Sequence, residues 1–143
     1  MELINFQIKK REKDWKFERD ILRELSITNL RLSVEMTFRT DGPVYILSHF
    51  RPLLDTAFDC AVEAYLLGAT NSHSINDSLE KISKQRPQQI EVTATILKQY
   101  VEYYFAKYRF PMIQKIFIQC EHLIYFWWLE GYKVGKKRKK LRL

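Results

Sequence analysis

The sequence predicts an all-α fold, a single-domain bundle of five or six helices with the Pro111–Glu130 helix at its centre. Three observations point there. Four glycines and four prolines among 143 residues leave long stretches uninterrupted, which suits helices better than a turn-rich sandwich. Apolar residues recur at spacings of three and four along most of the chain, and no stretch alternates with the period of two that a half-buried strand requires. Hydrophobic residues make up 46% of the chain, enough at this length for one core without disulfides or metals.

The first helix is expected over about residues 5–25. Ile4, Ile8, Trp15, Leu22 and Leu25 form its apolar stripe, Phe17 and Ile21 widen it, and Glu12 stands four residues before Lys16. Ser26 is placed to cap a second helix, along which Ile27, Leu30, Val34 and Phe38 repeat. Asp41-Gly42-Pro43 signals a turn. A third helix is expected from near Val44, bent or restarted at Pro52, which has no amide hydrogen to give the preceding turn. Its apolar side reads Leu54, Phe58, Ala61, Val62, Tyr65 and Leu66, with Gly68 as the residue that ends it. After a polar loop at 69–74, a short helix over about 75–84 is expected, capped by Ser74. Pro87 then opens the next helix, with Ile90, Ala94, Leu97, Val101, Tyr104 and Tyr108 at heptad-like spacing. Pro111 opens the last helix. Ile113, Ile116, Phe117, Cys120, Leu123, Ile124, Trp127 and Trp128 make it apolar over most of its circumference, as a central helix is. Gly131 and Gly135 are read as the exit into a tail.

That tail carries the whole net charge. Residues 133–143 hold seven of the 24 basic residues and no acid, which leaves residues 1–132 with 17 basic and 17 acidic groups. The domain reading is therefore a neutral helical body, 1–132, and a basic C-terminal tail, 133–143, expected to be flexible. Lys133, Lys136, Lys137, Arg138, Lys139, Lys140 and Arg142 are the candidate polyanion-binding residues. Such a run neutralises nucleic-acid phosphates with release of counterions, docks on an acidic protein surface, or sits on an anionic membrane face.

Within the body, Asp41 to Glu80 contains six acids and a single base, Arg51. Asp55, Asp59 and Glu63 stand at i, i+4 and i+8 on one side of the third helix. They are a candidate row for a cation, a basic partner, the tail of a second copy in a homo-oligomer, or acid–base work; a solvated face is the plainer reading.

Several chemistries lack their motifs. The residues three before His49, His73 and His122 are Ile46, Thr70 and Gln119, so the Glu-x-x-His of di-iron bundles is missing. There is no Cys-x-x-Cys, no His-Glu-x-x-His, no glycine-rich phosphate loop and no Gly-x-Ser-x-Gly elbow. No metal or cofactor is called for, and the balance falls against an enzyme. Glu121 and His122, adjacent on a helix, point two ways, and His122 is expected in the core or at its boundary. Cys60 and Cys120 fall in apolar helical patterns and are expected as buried reduced thiols. No secretory signal is expected, and no apolar stretch reaches the ~20 residues of a membrane span, so the expected location is the cytoplasm.

Three stretches carry a resemblance. They are Lys10 to Trp15 leading to Leu22-Arg23-Glu24-Leu25-Ser26; Ala61-Val62-Glu63-Ala64-Tyr65-Leu66-Leu67-Gly68; and Trp127-Trp128-Leu129-Glu130-Gly131 with the Lys140-Leu141-Arg142 end. Together they resemble the Bacillus YbaK-type family of small uncharacterised proteins, which is distinct from the prolyl-tRNA-editing protein that shares the name. About residues 72–89 carry none of the likeness. The resemblance implies a cytoplasmic protein of a spore-forming Gram-positive bacterium and supplies no catalytic residues. From sequence, then, the chain reads as a non-enzymatic binding or adaptor protein that contacts nucleic acid or an acidic protein surface. The alternatives are an enzyme or cation-binding protein using Asp55, Asp59 and Glu63, or peripheral membrane association through the tail.

Overall fold

In a computed structural model the protein is a single all-α domain of packed helices, described over residues 2–38, 51–72, 79–105 and 113–141. The described helices are α1 (Glu2–Glu24), α2 (Ile27–Phe38), α3 (Arg51–Asn71), α4 (Leu79–Phe105) and α5 (Ile113–Lys140). No strand occurs among the described residues. The Asp41-Gly42-Pro43 turn, the cap at Ser74 and the opening at Pro111 lie outside them.

The expected centre is found, and it is shared. Both α5 and α3 pack against each of the other four helices, and their mutual contact is the most extensive among the described helices. The two run parallel, since Gly131 lies on Tyr65 and Gly135 lies on Ala69 and Ser72. Of the others, α4 runs the opposite way to α5, since Gln89 meets Trp128 and Lys98 meets Glu121. Trp127 Nε1 donates to Ser33 Oγ on α2 at 3.1 Å, and Trp128 Nε1 donates to Gln89 Oε1 on α4 at 2.8 Å. The α1–α2 junction is capped as expected: Asn29 N donates to Ser26 Oγ at 3.2 Å.

The buried face of α3 matches the expected one only at Ala61 and Tyr65. It is Leu53, Ala57, Cys60, Ala61, Ala64, Tyr65, Gly68 and Ala69, while Leu54, Phe58, Val62 and Leu66 are only half-buried. The larger residues gave the stronger periodic signal, yet the smaller ones let α5 approach closely. Gly68 therefore does not end the helix. A Cβ there would lie 1.9 Å from the Trp128 carbonyl oxygen, and α3 continues to Asn71. Gly131 and Gly135 are not an exit either. Added Cβ atoms would lie 1.8 Å from Tyr65 O and 2.3 Å from Ser72 Oγ. Both glycines sit inside α5, each giving up about 1 kcal/mol of helix preference relative to alanine in return for backbone-to-backbone packing.

Two further expectations are corrected. The short helix at 75–84 and the restart at Pro87 are replaced by one helix, since α4 runs from Leu79 through Pro87 to Phe105. Its inner row of Ala94, Leu97 and Val101 is buried as expected; the Tyr104 side chain and Tyr108 lie outside the described set. On α1 part of the expected core stripe faces water: Ile8 is 49% exposed, Trp15 81% and Leu22 39%. The expected members Ile21, Phe17 and Leu25 make the contact with the bundle, Ile21 fully and the other two half-buried. Every side chain described between Gln7 and Lys16 is exposed.

Candidate functional site

The basic residues at the end of α5 are sorted by helical geometry. Lys133, Lys136, Lys137 and Lys140 stand at i, i+3, i+4 and i+7, which places them on one face, and all four are exposed. The opposite face carries Gly131 and Gly135, both buried against α3. The glycine contact thus fixes which way the lysines point. Four basic residues in the last turn, Lys137 to Lys140, also sit where the helix dipole favours positive charge.

Arg138 is turned inward. Its side chain is 15% exposed and reaches α1, with Nη1 3.1 Å from Glu24 Oε1 and Nη2 3.4 Å from Asp20 Oδ2. Its Nε is buried with no hydrogen-bond partner. Lys139 is half-buried, with Nζ 5.6 Å from the centre of the Phe17 ring. Of the exposed lysines, Lys133 meets Glu130 at 3.4 Å, and Lys136 lies 5.7 Å over the Tyr132 ring. That ring in turn stacks on Trp128 at 5.5 Å and 8°. Arg142 lies outside the described residues.

The other candidates fall elsewhere. Asp55, Asp59 and Glu63 form an exposed row on α3, remote from Arg138, whose acidic partners come from α1. Among the described residues no group of three or more His, Cys, Asp or Glu side chains is arranged to hold a metal. His122 is exposed, contrary to the core or boundary position expected for it. It lines a groove of ≈ 410 Å³ between α4 and α5 with Glu91, Tyr125 and the ion-paired Lys98 and Glu121. Both cysteines are free and buried. Desolvation, with the charges of Asp59 and Glu63, pushes the Cys60 thiol up to about 11. Burial pushes Cys120 up to about 12. Neither is a thiolate nucleophile near neutral pH.

A second groove, ≈ 500 Å³, runs between α2 and α5. Leu32, Met36, Phe126, Trp127 and Val134 line it, with Glu24 and Glu130 at its edge. Sequence periodicity did not single it out, because Leu32 and Met36 sit on the polar side of the α2 pattern.

The family described as "Protein of unknown function (DUF2521)" matches residues 1–143. The chain belongs to the DUF2521 family. No curated protein matches it, and no solved structure does. In this DUF2521 chain no described helix is long and apolar enough to cross a membrane.

Proposed function

We propose that the protein is a non-enzymatic binding or adaptor module that uses the lysine face at the end of α5 to contact a polyanion, with nucleic-acid phosphates as the first partner class. The observation that carries this reading is the division of labour on one helix. Lys133, Lys136, Lys137 and Lys140 share the exposed face, while Arg138 and the glycines hold the other face to the body. Seven residues of helix span about 10 Å, or roughly three phosphate steps along one strand of a duplex. An acidic protein surface is the second reading, favoured by the groove between α2 and α5, whose Glu130 and Val134 stand next to Lys133 along α5. The cytoplasmic location implied by the YbaK-type resemblance belongs to this proposal.

The test is substitution, because cutting the chain after residue 132 would remove Gly135 and Arg138 from the fold. The four lysines are changed to alanine together, and binding of duplex DNA, RNA and polyglutamate is compared with the parent across a salt series. Four phosphate contacts give a log–log salt slope of about −3.6 on duplex DNA, and the variant loses it with an unchanged melting temperature. Binding of polyglutamate alone selects the second reading. Binding of none, or binding that survives the four substitutions, refutes both.

A further inference from the structure

Among the described residues, the first half of α1 shows no side chain packed on the bundle. From Gln7 to Lys16 every described side chain is exposed, and the first described contact with the bundle is at Phe17. A lone helical segment of this length is marginal in water. Yet it carries apolar residues in an ordered line: Ile8, Trp15 and Leu22 are seven residues apart, which on an α-helix drifts only about 20° per step. Trp15, at 81% exposure, is the most exposed large apolar side chain described.

The charges beside this line are ordered as well. Arg11 and Glu18 flank it on one side, and Glu12 and Arg19 on the other, all four exposed. When two helices meet antiparallel, each flank faces the same flank of its neighbour. With Trp15 on the two-fold axis, Ile8 meets the partner's Leu22, Arg11 meets the partner's Glu18, and Glu12 meets the partner's Arg19. Symmetry repeats each contact, so every flanking charge finds an opposite one. The helix dipoles also oppose each other favourably in this arrangement.

We propose that α1 is the interface for a second copy of this chain, which docks antiparallel through the Ile8–Trp15–Leu22 line with Trp15 at the two-fold axis. This surface is separate from the lysine face of α5. The two-fold contact is isologous and closed, giving a dimer rather than a filament.

The experiment is sedimentation equilibrium of the full chain over a concentration series, with circular dichroism confirming that each variant keeps its helix content. All substituted side chains are exposed, so the bundle is left intact. The parent is expected to pass from monomer to dimer as concentration rises, and Trp15→Glu to stay monomeric. Glu12→Arg sets like charges against the partner's Arg19 at two symmetric places and weakens the dimer by roughly tenfold or more. Adding Arg19→Glu to Glu12→Arg restores opposite charges across an antiparallel pair and recovers the parent affinity. In a parallel pair each flank faces the opposite flank of its neighbour. There the same double change sets Arg11 against the base newly placed at position 12, and Glu18 against the acid newly placed at position 19. A double variant weaker than the single one therefore overturns the proposal. So does a parent monomeric at every concentration, or a dimer that survives Trp15→Glu. Trp127 and Trp128 are buried, so acrylamide quenching reports chiefly on Trp15. Protection that appears with phosphatidylglycerol–phosphatidylcholine vesicles and not with protein concentration would assign the surface to a membrane and overturn the proposal too.

Discussion

Gly131→Ala is a test in which two well-measured effects have opposite signs. Alanine in place of glycine in a helix interior stabilises by about 1 kcal/mol when nothing else changes. Here the new Cβ would lie 1.8 Å from the Tyr65 carbonyl oxygen, 2.7 Å from its carbon and 2.9 Å from its Cα. Carbon–oxygen contacts at helix interfaces settle near 3.3–3.6 Å, roughly 1.5 Å farther. The obstacle is backbone, so no side-chain rotation relieves it and α3 and α5 must move apart. A gap of roughly 0.5–1 Å already forfeits a quarter to a half of each dispersion contact it opens. Overpacking a core typically costs ~1–3 kcal/mol, and a rigid backbone obstacle belongs at the upper end. Against the ~1 kcal/mol of helix preference, the net loss is about 2 kcal/mol. For a chain of this size that is a fall in melting temperature of roughly 5–8 °C. The assay is thermal unfolding followed by far-UV circular dichroism, with urea unfolding as a second measure. A melting temperature that rises by a few degrees would mean that helix preference decides the outcome, and the close approach of α3 and α5 would be refuted.

Three other outcomes are expected. Arg138→Ala leaves Asp20 and Glu24, 20% and 36% exposed, without their shared cation. Because both are partly solvated, the loss in urea unfolding should be about 1–2 kcal/mol, below that of a fully buried pair, and Arg138→Met should recover part of it by covering the same apolar surface. Gln89→Ala strands the Trp128 indole N–H, which donates to Gln89 Oε1, and should cost about 1–3 kcal/mol by the same measurement. The third outcome concerns alkaline pH. Desolvation raises Cys60 to about 11, Tyr65 to about 12 and Cys120 to about 12. The unfolded chain ionises first, at 9.0 for the thiols and 10.0 for the phenol. Stability from these groups is fully present below about pH 9 and is lost as pH rises toward about 12. Tyr65→Phe should lower stability by about 1 kcal/mol at neutral pH, through loss of the hydrogen bond to Ile21 O, and should flatten the decline between about pH 10 and 12. An unchanged slope would mean that the phenol is solvated.

Residue size and direction explain what sequence could and could not reveal. The helix content, the Ser26 cap, the inner row of α4 and the centrality of the last helix follow from periodicity and turn chemistry, which are local. The docked face of α1 does not, because Ile8, Trp15 and Leu22 make a better stripe than Phe17 and Ile21, and one helix alone cannot say which of two apolar faces meets the body. The glycines misled for a related reason. A glycine past an apolar run normally ends a helix, and its other use, close approach, needs a facing helix to be recognised. The available signal was joint: Gly131-x-x-x-Gly135 on one helix, with Ala61, Ala64 and Gly68 small on another. The basic tail was legible as charge, but its sorting into an exposed lysine face and an inward arginine required the helix to continue and α1 to supply Asp20 and Glu24.

The parallel pairing of α3 with α5 also bears on how quickly this chain finds its fold. Parallel neighbours cannot be joined by a tight hairpin, so all of α4 runs back between them as a crossover. The intimate contact of Tyr65 with Gly131 thus joins segments far apart in sequence, and the entropy of closing that span is lost before the contact forms. Folding should be slower than for an up-and-down bundle of the same length, whose neighbours are sequential. The α3–α4 pairing, tied by Asn71 to Gln89, joins segments closer in sequence and carries the smaller closure entropy.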